Sequence, residues 1–159
     1  MTGGDGDVAG DRARLLGINH VALAVGDVEA ALDWYGALFA FELRGRTDSG
    51  AFLDLGDQFL ALTESASGDV DEGRHVGLVV DDLDAVERRL DELDAERLPT
   101  SGVDVRDPWG NRLQLVAYSA VQFTKADHVL DGMAVDRDTL AKTDGALAEL
   151  AGKGMAPEE

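Results

Sequence analysis

The chain has 159 residues, 45% of them apolar, which is enough for one compact domain with a buried core. It contains no cysteine, which excludes disulfides, thiolate metal ligands and cysteine nucleophiles. Its 32 acidic residues against 14 basic ones give a formal net charge of −18, a poor match to nucleic acid, which needs clustered Lys and Arg. The acids are spread along the chain rather than gathered in a block, which favours adaptation to a high-salt cytoplasm (a halophile protein) over an acidic partner-binding surface.

From the N-terminus, residues 1–14 read as a polar, Gly-rich, disordered leader without the pattern of a signal peptide. The longest apolar strings, Val21–Val25 and Val76–Val80, are far too short to cross a bilayer. A cytoplasmic protein that does not engage membranes is therefore expected.

An internal repeat organises the chain from His20 onward. "HVALAVGDVEAALDWYGALFA" (20–40) and "HVGLVVDDLDAVERRLDELDA" (75–95) share His, Val, Leu, Val, Asp, Ala, Leu and Ala in register, including two of the three histidines, His20 and His75. Each copy reads as a strand and then a helix. Asp27 and Asp82 stand where N-caps belong. Val28, Ala31, Leu32, Tyr35, Leu38 and Phe39 form one helical stripe; Leu83, Val86, Leu90 and Leu93 form the other. Each helix precedes three extended pieces: Phe41–Arg46, Ala51–Leu55 and Gln58–Glu64 in the first half, Glu96–Pro99, Gly102–Arg106 and Asn111–Tyr118 in the second. Gly56–Asp57 and "DPWGN" (107–111) supply the turns. The plan is an α+β fold of two βαβββ repeats, about 15–66 and 73–118, forming a curled mixed sheet around a central groove. Residues 119–159 fall outside the repeat as a helical extension. There Asp138 is placed to cap one helix through Leu140, Leu147 and Leu150, ending at Lys153–Gly154.

Strand alternation then sorts the faces. Val21, Leu23 and Val25 belong under the helix, and so do Val76, Leu78 and Val80. His20 and His75 take the other face, among small residues. In the last strand of each half, Leu60, Leu62, Leu113 and Leu115 are helix-facing. Phe59, Ala61, Arg112, Gln114 and Tyr118 are left on the histidine side. A groove with aromatic walls and few polar groups suits a small, anionic organic ligand. Tyr118 could act as an acid or orient a substrate, although packing is the commoner role for such a residue. Arg112 could hold a carboxylate or phosphate, against the plainer reading of a rim arginine.

The stretches "INHVALAVGDVEAALDWYGALFAFEL", "RHVGLVVDDLDAVERRL" and "DVRDPWGNRLQLV" resemble the vicinal oxygen chelate superfamily. That superfamily includes glyoxalase I, fosfomycin- and bleomycin-resistance proteins and extradiol dioxygenases. The resemblance covers about residues 15–118. It implies a metal held by first and last strands of the two halves, with His20, His75 and Gln114 as ligands. Gln114 stands where the family's metalloenzymes usually carry Glu, and Ala61 stands at the remaining ligand position. Two imidazoles and an amide suit Zn, Ni, Co, Mn or Fe better than Mg or Ca. The resemblance also implies a homodimer.

Three functions are compatible with these residues. The first is a metal-dependent lyase, isomerase, thiol transferase or dioxygenase that stabilises an oxyanion or enolate on a small oxygen-rich metabolite. The second is a metal-free small-molecule-binding protein of the bleomycin-resistance type, which the residues at 61 and 114 favour. The third is an interaction module that uses residues 119–159.

Overall fold

The computed structural model describes residues 12–65 and 69–157. Most of the expected leader lies outside the described residues.

The first half runs β1 (His20–Val25), α1 (Val28–Leu38), β2 (Glu42–Thr47), β3 (Gly50–Asp54) and β4 (Phe59–Glu64). The second runs β5 (Val76–Val80), α2 (Leu83–Leu93), β6 (Glu96–Arg97), β7 (Val103–Arg106) and β8 (Arg112–Ala117). Both helices start at an aspartate because its carboxylate accepts an otherwise unpaired first-turn amide. Asp27 takes Ala30 N and Asp82 takes Ala85 N, each at 2.9 Å.

Each half forms its own four-stranded sheet, ordered β1-β4-β3-β2 and β5-β8-β7-β6. The first and last strands of each half pair in parallel, and the remaining pairs are antiparallel. No ladder joins β1 to β5 among the described residues, so the expected curled sheet is present as two separate sheets, with β1 and β5 each an edge.

The apolar faces meet in one core built from both halves. It includes Leu23, Val25, Tyr35, Leu62, Val86, Leu90, Leu113 and Leu115. Complete burial of a leucine such as Leu62 or Leu113 contributes about 1.5–3 kcal/mol. Polar contacts fix the docking of the halves. Tyr35 Oη of α1 donates to Asp107 Oδ2 at 2.8 Å, and Asn111 Nδ2 donates to Ala24 O at 2.8 Å. Arg89 Nε of α2 donates to Ala37 O at 2.6 Å.

The C-terminal extension differs from the single helix expected. It contains a 3-10 turn at Tyr118–Ala120, α3 (Asp127–Gly132), a second 3-10 turn at Arg137–Leu140 and α4 (Asp144–Gly152). Asp138 lies inside the second turn, which Asp136 caps, while Thr143 caps α4 by accepting Ala146 N. A threonine oxygen at 143 starts a fresh helix because it offers an acceptor to a first-turn amide.

The extension has a defined dock. Leu130 and Leu140 close over Tyr118 together with Phe123, Val135 and Val79. Val79 belongs to the face of β5 opposite the core, so the extension covers the far end of that face. It also reaches the first half. Lys125 Nζ pairs with Asp57, and Val129 and Met133 pack over Gly56 in the β3–β4 turn. The Lys142 ammonium gathers the carbonyls of Tyr118, Val121 and Phe123 and lies 3.7 Å from the Tyr118 ring centroid.

Candidate functional site

Outward residues of the strands carry the candidate chemistry. In the first half, the exposed His20 stacks on Phe59 with ring centroids 4.6 Å apart and planes 9° from parallel. Arg44 lies 4.3 Å from the same Phe59 centroid. Phe52 meets Phe59 edge-on at 5.7 Å. Ala61 lies between Ala22 and Phe52 in the ladder, as a small buried floor. His20 Nδ1 is 2.8 Å from Asn19 Oδ1. This half is therefore an aromatic surface edged by one imidazole and one guanidinium.

The second half is more polar. Gln114 pairs with Gly77 on one side and Asp104 on the other. Arg112 pairs with Arg106 in the same antiparallel ladder. Alternation places Asp104 and Arg106 opposite the core residues Val103 and Val105, and thus on the face that carries Gln114 and Arg112. His75 is exposed and immediately precedes β5, level with Arg112 in the parallel register.

A charged lattice holds these side chains. Asp104 is 4% exposed and its Oδ2 accepts Arg112 Nη2 at 2.8 Å and Nε at 3.2 Å. Arg112 Nη1 donates to Glu72 O at 3.0 Å, and Arg106 Nη2 donates to Asp71 O at 3.1 Å. Among the described residues, only Asp104 Oδ1 and Arg106 Nε are buried side-chain polar atoms without a hydrogen-bond partner.

The structure thus gathers His75, Arg112 and Gln114 on one sheet and His20, Phe59 and Ala61 on the other. No hydrogen bond or ring contact joins His20 to the second set among the described residues. Tyr118 lies just beyond β8, buried beneath the extension, and its Oη accepts Lys125 N at 3.0 Å. That position sets it in the packed cluster rather than beside Gln114.

Residues 17–128 match the family model of the Glyoxalase/Bleomycin resistance protein/Dioxygenase superfamily. The chain belongs to this superfamily. A putative glyoxalase family protein from Bacillus anthracis shares 23% identity, with a TM-score of 0.56 over 67% of this chain and 98% of that one. The fosfomycin resistance protein FosX from Mesorhizobium loti shares 18% identity, with a TM-score of 0.54 over 64% and 91%. Lactoylglutathione lyase from Agrobacterium tumefaciens shares 22%, with a TM-score of 0.50 over 65% and 95%. At these identities the likeness shows the fold. No curated protein matches the chain.

The superfamily commonly uses divalent metals, and the donor set of this chain bears on whether one fits. No group of three His, Cys, Asp or Glu among the described residues could hold an ion. The carboxylate beside Gln114 is Asp104, which Arg112 clasps. Arg112 and Arg106 lie on the same face as Gln114, and a neutral amide cannot offset an ion's charge. Among the described residues, no carboxylate joins His20 and His75 in a three-ligand group.

Sequence reasoning missed Asp104, Arg106, Phe52 and Arg44. Alternation was available for β3 and β7, as it was for the first and last strands. Val103-Asp104-Val105-Arg106 puts an acid and a base together on the outward face. Arg44 had no such signal, because the β2–β3 register shifts between Leu43 and Gly45.

Proposed function

We propose that this superfamily member is a metal-free binding protein for a small, oxygen-rich anionic molecule. It holds that molecule against the outward faces of its two sheets. The observation that carries this reading is the chemistry beside Gln114: two guanidiniums and an amide, with Oδ2 of the nearby Asp104 carboxylate paired to Arg112 and its Oδ1 buried without a partner among the described residues. Arginine forks recognise oxyanions, and the amide supplies one donor and one acceptor for orientation. The Phe59–Phe52 surface offers an apolar wall of the kind that small-molecule sites use. Turnover through a resident metal ion is not part of the reading. The protein acts in the cytoplasm as a homodimer, as its resemblance to the superfamily implies.

Metal analysis of untagged protein tests the core of the reading. Far less than one transition-metal ion per chain is expected, with no rise in Tm on adding Zn, Ni, Co, Mn or Fe salts. One tightly held ion per chain, lost with His20→Ala or His75→Ala, would refute it and favour the metal-dependent enzyme.

A further inference from the structure

We propose that Arg106, paired with Arg112 across β7 and β8, forms an oxyanion subsite for a carboxylate or phosphate group on the ligand. This rests on the reading of the protein as a small-molecule binder and names the group it recognises.

The register makes Arg106 and Arg112 direct neighbours on adjacent strands. Like charges directly opposite on a sheet destabilise it unless something lies between them. The available acids do not compensate the two equally. Arg112 has a close, buried partner in Asp104 at 2.8 Å. Among the described residues, the ion-pair partner of Arg106 is Glu96 at 3.6 Å, and that carboxylate is 62% exposed, so water screens it.

Arg106 itself is 19% exposed, and its Nε is buried with no partner. Nε is closed to solvent, so an acceptor oxygen meets this guanidinium through the part of the side chain that stays exposed. The fork geometry matters here. Nη2 of Arg106 is fixed by Asp71 O, and Nη1 of Arg112 by Glu72 O. The two guanidiniums are thus anchored by consecutive carbonyls of one segment rather than free to swing. Anchored donors lose little freedom on binding, which favours recognition. Gln114 is two residues from Arg112 on the same face, about 7 Å along the strand, so its amide would meet the next polar group of the ligand.

Asp104 and Glu96 balance the two guanidiniums, in a chain of net charge −18, so the fork geometry rather than a local excess of positive charge favours an anion here.

NMR of the arginine Nε–H signals provides the test, with sodium acetate and inorganic phosphate titrated separately at constant ionic strength. Acetamide serves as the neutral control. At least one of the two anions is expected to shift the Arg106 and Arg112 signals saturably, and acetamide is not. Which anion acts distinguishes a carboxylate from a phosphate ligand. Arg106→Met should weaken the response at least about tenfold. Arg106→Lys keeps the charge but loses the fork, and should weaken it as well while preserving the fold. The proposal is overturned if neither anion shifts these signals, if acetamide shifts them equally, or if Arg44 and Arg137 respond in parallel. It is also overturned if folded Arg106→Lys and Arg106→Met proteins respond like the wild type. A metal ion found in the purified protein counts against the metal-free reading alone, because the Arg106 dependence is measured independently.

Discussion

Replacing Tyr35 with Phe removes one oxygen from the place where the two halves meet. Tyr35 is fully buried in α1, and its hydroxyl donates to Asp107 Oδ2 at 2.8 Å. Asp107 is itself 4% exposed. Its Oδ1 accepts Trp109 N and Asn111 N, each at 2.9 Å, and its Oδ2 also accepts Asn111 Nδ2 at 2.7 Å. A hydrogen bond to a buried carboxylate contributes about 1.5–3 kcal/mol. Tyr35→Phe keeps the ring and its packing, so a loss of about 2 kcal/mol is expected. For a chain of this size that lowers Tm by about 4–8 °C. Asp107→Asn should cost more, about 3 kcal/mol or above, because all four partners are donors and the new NH2 must face two of them. Urea unfolding of both single variants and the double variant gives the coupling. A Tyr35→Phe protein within about 0.5 kcal/mol of wild type, or strictly additive effects, would refute the view that this bond ties the halves together.

Tyr35 also gives a pH signature. Burial, then the nearby Asp107 charge and hydrogen bond, push its pKa well above the ordinary tyrosine value. Its contribution is fully present below about pH 10 and is lost as pH rises toward the raised value, because the unfolded chain releases the proton first. The stability gap between wild type and Tyr35→Phe should therefore narrow from pH 8 to pH 11 in urea titrations. At the acid end, the hydrogen bond from Lys125 lowers the Asp57 pKa. That contribution is present above the ordinary carboxylate value and fades as pH falls through the lowered one. Asp57→Asn should flatten the stability loss below about pH 4, and an unchanged acid limb would show that the pair does not hold the extension. Gly56→Ala tests the same dock differently. Gly56 has φ 91°, and an added Cβ would lie 2.6 Å from Met133 Sδ and 2.9 Å from Val129 Cγ1. A loss of about 1–3 kcal/mol from backbone strain is expected, with faster amide exchange in α3; unchanged exchange there would place the strain elsewhere.

The sequence by itself determined the repeat, the two helices with their aspartate caps, and the division of each first and last strand into core and outward faces. Those features arise from local rules, namely capping by a short acceptor and a side-chain period of two. The histidines, Arg112 and Gln114 were legible for that reason. Tertiary structure decided the rest. Asp107 reads locally as a turn residue, yet it joins the halves because Tyr35 reaches it from α1, across 72 positions of chain. Asp138 reads as a helix cap, but the extension breaks there and begins again at Thr143. That extension lies across Val79 and Gly56, which belong to different halves. The pairing of Arg106 with Arg112, and of Asp104 with Gln114, required the β7–β8 register. Long-range contacts of this kind depend on how two faces dock, and no local period or propensity encodes that geometry.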